Sequence, residues 1–146
     1  AHFKFKNRSQ ELICFNTHLD HESEEARING MKLILERMEK EKIKNDIPQL
    51  LMGDFNAVPD SDVLKQIQEK TTSDFNLHNA YNILDGKIGT TFHNYTGKTE
   101  GKPIDYIFAT PEIIFDKTVI IRDKIGGSFP SDHYPVLSHI SFRKNT

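Results

Sequence analysis

Hydrophobic and polar positions alternate at residues 3–6, Phe-Lys-Phe-Lys, which predicts a strand with one wet face. A polar turn at 7–10 separates it from Leu12-Ile13-Cys14-Phe15, an apolar run of strand length and the hairpin partner of the first. That run ends in Asn16-Thr17-His18-Leu19-Asp20. Ser23-Glu24-Glu25 then reads as a helix cap with an acidic first turn. Ile28, Met31, Leu35 and Met38 recur at three- and four-residue steps, opposite a charged face from Glu36 to Lys42, which predicts an amphipathic helix. Gly30 within it points to close packing at that spot.

Asn45-Asp46-Ile47-Pro48 breaks the helix. Gln49-Leu50-Leu51-Met52 is the next buried strand, and Gly53-Asp54-Phe55-Asn56 follows at its end. A short helix is predicted from Pro59-Asp60-Ser61-Asp62 to about Glu69, with Val63, Leu64 and Ile67 inward. Residues 70–103 have no periodicity. Further strands are predicted at Ile104–Phe108, Ile113–Arg122 and Pro135–Phe142, with loops at Gly126-Gly127 and Ser131-Asp132-His133-Tyr134. The order β-β-α-β-α-loop-β-β-β is a mixed α/β layout in one domain.

Polar residues gather where hydrophobic strands stop, and four such places stand out: Asn16–Asp20, Gly53–Asn56, Asp105, and Ser131–His133. Carboxylates, imidazoles and an amide suit a hard divalent cation with an acid–base group beside it. An acid that hydrogen-bonds an imidazole fixes its tautomer and favours its charged form. Each place also has a plainer reading. Asp105 fits a solvent-facing edge residue, Gly53–Asn56 and Ser131–His133 fit ordinary turns, and His18 fits a structural histidine. The four together point to a site, because sites of α/β sheets are built at strand ends.

Composition narrows the partners. A formal net charge of −2 over 146 residues gives no overall field that attracts duplex nucleic acid, so phosphate binding must be local. No apolar run approaches the ~20 residues of a membrane span. The single cysteine, Cys14, excludes an internal disulfide. His18-x-x-His21 lacks the spacing of a helical zinc pair, and no Gly-x-Ser-x-Gly occurs.

Asn16-Thr17-His18-Leu19-Asp20, Gly53-Asp54-Phe55-Asn56, Ile104-Asp105-Tyr106-Ile107-Phe108 and Ser131-Asp132-His133-Tyr134-Pro135-Val136 stand in the order used by the endonuclease/exonuclease/phosphatase superfamily, the deoxyribonuclease I-like fold, and the chain resembles that superfamily. Thr91-Phe92-His93 and Gly101-Lys102-Pro103 look most like bacterial stand-alone metal-dependent hydrolases. The resemblance implies a four-layer α/β/β/α sandwich with a mixed, mainly antiparallel sheet, of which 1–146 would be the C-terminal half. It implies Mg²⁺ (or Mn²⁺) held near Asp54, Asn56 and Asp132. In this pattern Asp54 orients and deprotonates the attacking water, and Asn56 holds the scissile phosphate. His133 donates to a phosphoryl oxygen with Asp105 behind it, while His18 and His93 meet the substrate.

The superfamily's first half supplies an Asn and a strand-borne Glu that ligates the metal. No such Glu segment precedes Asn16, so the chain is expected to be an excised C-terminal portion, weakly active alone. It is also expected to dimerise through the surface its missing half leaves, and to be cytoplasmic. The functional expectation is a phosphoesterase acting on a phosphodiester or phosphomonoester, a small one in preference to long duplex DNA. Nucleic acid stays open as a substrate. The alternative is a non-catalytic phosphate- or nucleic-acid-binding module.

Overall fold

A computed structural model describes residues 1–6, 9–70 and 75–143. Strand β1 (His2–Lys4) pairs antiparallel with β2 (Glu11–His18) as the expected hairpin, but it is shorter than the 3–6 alternation and exposed at every residue, Phe3 included. The polar turn expected at 7–10 lies partly outside the described residues, as does the start of the irregular stretch at 71–74.

Helix α1 (Glu24–Asn45) follows β2. Ser23 Oγ accepts the Ala26 N–H at 3.1 Å, satisfying an otherwise free helix-end donor. The helix stops at Asp46, which adopts a left-handed conformation and donates its N–H to Lys42 O. Met31, Leu35 and Met38 are buried, each the kind of side chain worth about 1.5–3 kcal/mol when removed from water. A Cβ on Gly30 would stand 3.2 Å from Leu19 Cδ2, so the helix packs closely on the residue that follows His18.

The long α1 crossover makes β3 (Gln49–Asp54) parallel to β2. Helix α2 (Asp62–Glu69) buries Val63, Leu64 and Ile67. The aperiodic stretch yields a two-residue strand β4 (His78–Asn79) and a 3-10 turn Ala80–Ile83, both too short to leave a hydrophobic period. β5 (Asp105–Ala109) lies antiparallel between β3 and β4, giving a sheet of order β1-β2-β3-β5-β4. β6 (Ile113–Ile120) and β7 (Val136–Phe142) form a separate antiparallel pair.

Alternation along the strands divides the interior. Leu51 and Phe108 point to the helices and join Met31, Met38, Val63 and Ile67 in one core. Leu12, Leu50 and Ala109 point the other way, onto Ile113 and Phe115 of β6 with Ile140 and Phe142 of β7. The layers are therefore helix, sheet and sheet, with a mixed, mainly antiparallel arrangement of strands. Among the described residues no helix is long and apolar enough to cross a membrane.

Candidate functional site

Register builds the site. His18 stands opposite Asp54 across the parallel pair, and Asp54 stands opposite Asp105 across the antiparallel pair. Opposed residues share a face, so three polar side chains form a row at the ends of neighbouring strands. Gly53 permits this row. Its φ is +135°, and a Cβ there would lie 1.8 Å from Thr17 O, which only glycine avoids.

His133 reaches the row from the loop before β7, where it forms an antiparallel bridge with Phe92. Its Nδ1 hydrogen-bonds Asp105 Oδ2 at 2.9 Å. Its Nε2 lies 3.8 Å from Asp54 Oδ2, and His18 Nε2 lies 3.3 Å from the same oxygen. Asp54 Oδ1 accepts the Asn56 N–H at 2.8 Å, and Asn56 Nδ2 donates to Leu19 O at 2.9 Å. His18 is 72% exposed at its side chain and stands at the rim, whereas Asp54 and Asp105 are half-buried. Asp54, Asp105 and His133 line a cleft of about 310 Å³ together with Asn16, Met52, Ile107 and Val136.

Electrostatics separates the roles. Burial is the main influence on Asp54 and raises its pKa, with the Asp105 charge adding to it against the opposing Asn56 N–H, His133 and His18. Burial by itself lowers the pKa of His133. The hydrogen bond and charge of Asp105, joined by Asp54 and Asp132, outweigh it and hold the imidazole above its usual value. The outcome is a carboxylate strained toward protonation beside an imidazole inclined to keep its proton, a pairing common where proton transfer is required.

Asp54, Asp105 and His133 bring ligand atoms within 4.8 Å of one another. Asp132 stays outside that group: its Oδ1 accepts from Ser131 Oγ at 3.3 Å, and its carbonyl receives the N–H groups of His93 and Asn94. His93 does not reach the cleft as expected of a substrate contact. It is 3% exposed, stacked on Tyr134 at 3.9 Å and against Phe129 at 4.6 Å. Phe92 reverses the pattern, being 42% exposed with its ring 5.1 Å from that of His133. Tyr81 has no signal in the sequence yet donates its hydroxyl to Asp105 O at 2.7 Å, fixing the backbone of that acid. A larger groove of about 520 Å³ opens at the opposite pole, around Glu11, Asp46 and Glu112. There Asp46 and Glu112 each pair with the buried Lys42 at 2.7 Å.

The model of the endonuclease/exonuclease/phosphatase family matches residues 13–133, a span that includes every residue of this cluster. The chain belongs to that family. It is similar to a solved family protein from Bacteroides thetaiotaomicron, with TM-score 0.87 and 26% identity over 99% of this chain and 55% of that one. A mannosyl-6-phosphatase from the same organism matches with TM-score 0.81 and 27% identity, over 97% of this chain and 55% of the other. Nocturnin of Xenopus laevis is 26% identical over 91% of this chain and 38% of its own length. The chain thus spans about half the length of these solved structures and less of the Nocturnin sequences.

A carboxyl whose folded-state pKa exceeds its unfolded value binds its proton better when folded, so its ionised form subtracts from stability at neutral pH. Asp54→Asn is therefore expected to raise the melting temperature of the metal-free chain at pH 7, on the order of a few degrees. The gain is full above the folded pKa, shrinks as pH falls through it, and is gone below the ordinary value of 3.8. Thermal denaturation followed by circular dichroism from pH 3 to 8 measures it.

Proposed function

We propose that this chain carries the acid–base centre of a divalent-metal-dependent phosphoesterase, which hydrolyses a phosphate ester by attack of water. The Asp54–His133–Asp105 arrangement carries this reading. Asp54 presents an oxygen between two imidazoles, where it orients a water molecule and accepts its proton. His133, whose proton Asp105 helps to hold, donates from Nε2 to a non-bridging phosphoryl oxygen and offsets the charge that develops there. His18 meets the phosphate from the exposed side, and Asn56 holds it through its amide.

Asp54 and Asp105 offer hard carboxylate oxygens at the cleft, a donor type that fits Mg²⁺ or Mn²⁺, with Asn56 and Asp132 proposed as further ligands on the family pattern alone. A divalent ion held by these residues would supply electrostatic stabilisation of the phosphoryl group and would lower the pKa of a bound water. The substrate proposed is a small phosphoester. The mannosyl-6-phosphatase relative acts on one by its name, and the net charge of −2 supplies no field for a long polyanion. We place the activity in a domain of the length its relatives have, in the cytoplasm, with this chain as its C-terminal portion.

In such a domain, His133→Gln is expected to lower kcat/KM for p-nitrophenyl phosphate or its bis ester about 10²–10⁴-fold. Asp105→Asn removes the group that raises the His133 pKa, so the alkaline limb of the pH–rate profile should move to lower pH. An unchanged limb counts against the imidazolium role. The 146-residue chain alone is expected to bind Mg²⁺ weakly, and isothermal titration giving a stoichiometric micromolar site would overturn that expectation.

The open part of the sheet favours a partner surface. Phe3 in β1 and Phe5 just after it are 48% and 41% exposed, Phe5 meeting Phe142 of β7 edge-on at 6.0 Å. Exposed apolar area of this kind drives association. The isolated chain is accordingly expected to form a homodimer, and sedimentation equilibrium showing a monomer at high concentration would exclude it.

A further inference from the structure

Asp105 and His133 arrive at their 2.9 Å hydrogen bond on separate pieces of chain, a strand end and a loop. Their backbones are joined through a third piece. Thr91 is fully buried, and its Oγ1 accepts two backbone N–H groups, from Ile104 at 3.0 Å and from Asp105 at 3.2 Å. Its carbonyl accepts the Tyr134 N–H at 2.7 Å, immediately beyond His133, and its neighbour Phe92 bridges His133. One residue therefore binds the start of β5 with its side chain and the His133 loop with its main chain.

We propose that Thr91 is a positioning residue that sets the distance between Asp105 and His133. Two acceptor lone pairs are what a hydroxyl offers, and both are directed to adjacent N–H groups of the Asp105 segment. Valine has nearly the same shape without an acceptor. In Thr91→Val those two N–H groups lose their buried partner, and the β5 terminus loses its attachment to the segment that carries the His133 loop. Side-chain placement in an active site is sensitive at this scale, since a displacement of about 1 Å can cost roughly 100-fold in rate. Serine keeps the hydroxyl and loses only a methyl group.

The proposal rests on the reading of Asp105 and His133 as an acid–base pair, and two measurements separate the two ideas. Proton NMR of the 146-residue chain at low temperature reads the His133 Nδ1 proton, which a hydrogen bond to a carboxylate shifts downfield; Asp105→Asn provides the reference for its loss. Thr91→Val is expected to lose or move this resonance toward the Asp105→Asn position, and Thr91→Ser to retain it. In a domain of full relative length, Thr91→Val is expected to lower kcat about 10–100-fold with little change in KM, and Thr91→Ser to stay within about threefold of the parent. A folded Thr91→Val with the parent resonance overturns the proposal. A displaced resonance with unchanged turnover upholds the positioning and overturns the acid–base reading. Thr91→Ala is the second variant. If Val and Ala both fail to fold while Ser folds, the hydroxyl serves stability alone and the proposal is overturned.

Discussion

The register between β2, β3 and β5 is the constraint on which the site depends. A strand shifted by one residue turns each of its side chains to the opposite face of the sheet. Such a slip in β3 would turn Asp54 toward the apolar helix side around Met31 and Met38 and turn Leu51 toward the β6–β7 layer. The two hydrophobic cores therefore lock the polar row, since Leu51 and Phe108 are held by the helices while Leu50 and Ala109 are held by β6 and β7. Placement of His18, Asp54 and Asp105 side by side follows from apolar packing several residues away.

The centre contains its own electrostatic conflict. Asp54 and Asp105 repel one another across adjacent strands, and burial penalises the charge on Asp54. His133 relieves part of this by standing between them, with one nitrogen on Asp105 and the other toward Asp54. The arrangement sacrifices stability for a group able to accept a proton, the trade found where function and folding compete. A bound cation would relieve the same conflict, which links metal affinity to the stability of the folded chain.

Much of this was legible in the sequence where hydrophobic period carried it. Ile28, Met31, Leu35 and Met38 mark α1, and the strand-end motifs mark His18, Asp54, Asp105 and His133. The fold between 75 and 103 was not legible. It is held by side-chain to backbone hydrogen bonds, such as Asn79 Oδ1 accepting from Tyr81 N, and these leave no period. His93 shows why composition alone misassigns a residue. Beside Phe92 it looks like a site histidine, but Phe129 and Tyr134, distant in sequence, enclose its ring. Asp132 shares a motif with His133, and its carboxylate lies outside the Asp54–Asp105–His133 group, accepting from Ser131 Oγ.

The position of His133, just ahead of β7, has a consequence for biosynthesis. The row of His18, Asp54 and Asp105 can align once β2, β3 and β5 have paired, but the imidazole arrives only with the hairpin that closes the second core. His133 lies 28 residues beyond Asp105 in the chain, so synthesis delivers the imidazole after both carboxylates. A nascent chain that has emerged as far as β5 presents two adjacent carboxylates with no imidazole between them. The Asp54–His133–Asp105 cluster is thus incomplete until the segment leading into β7 is in place.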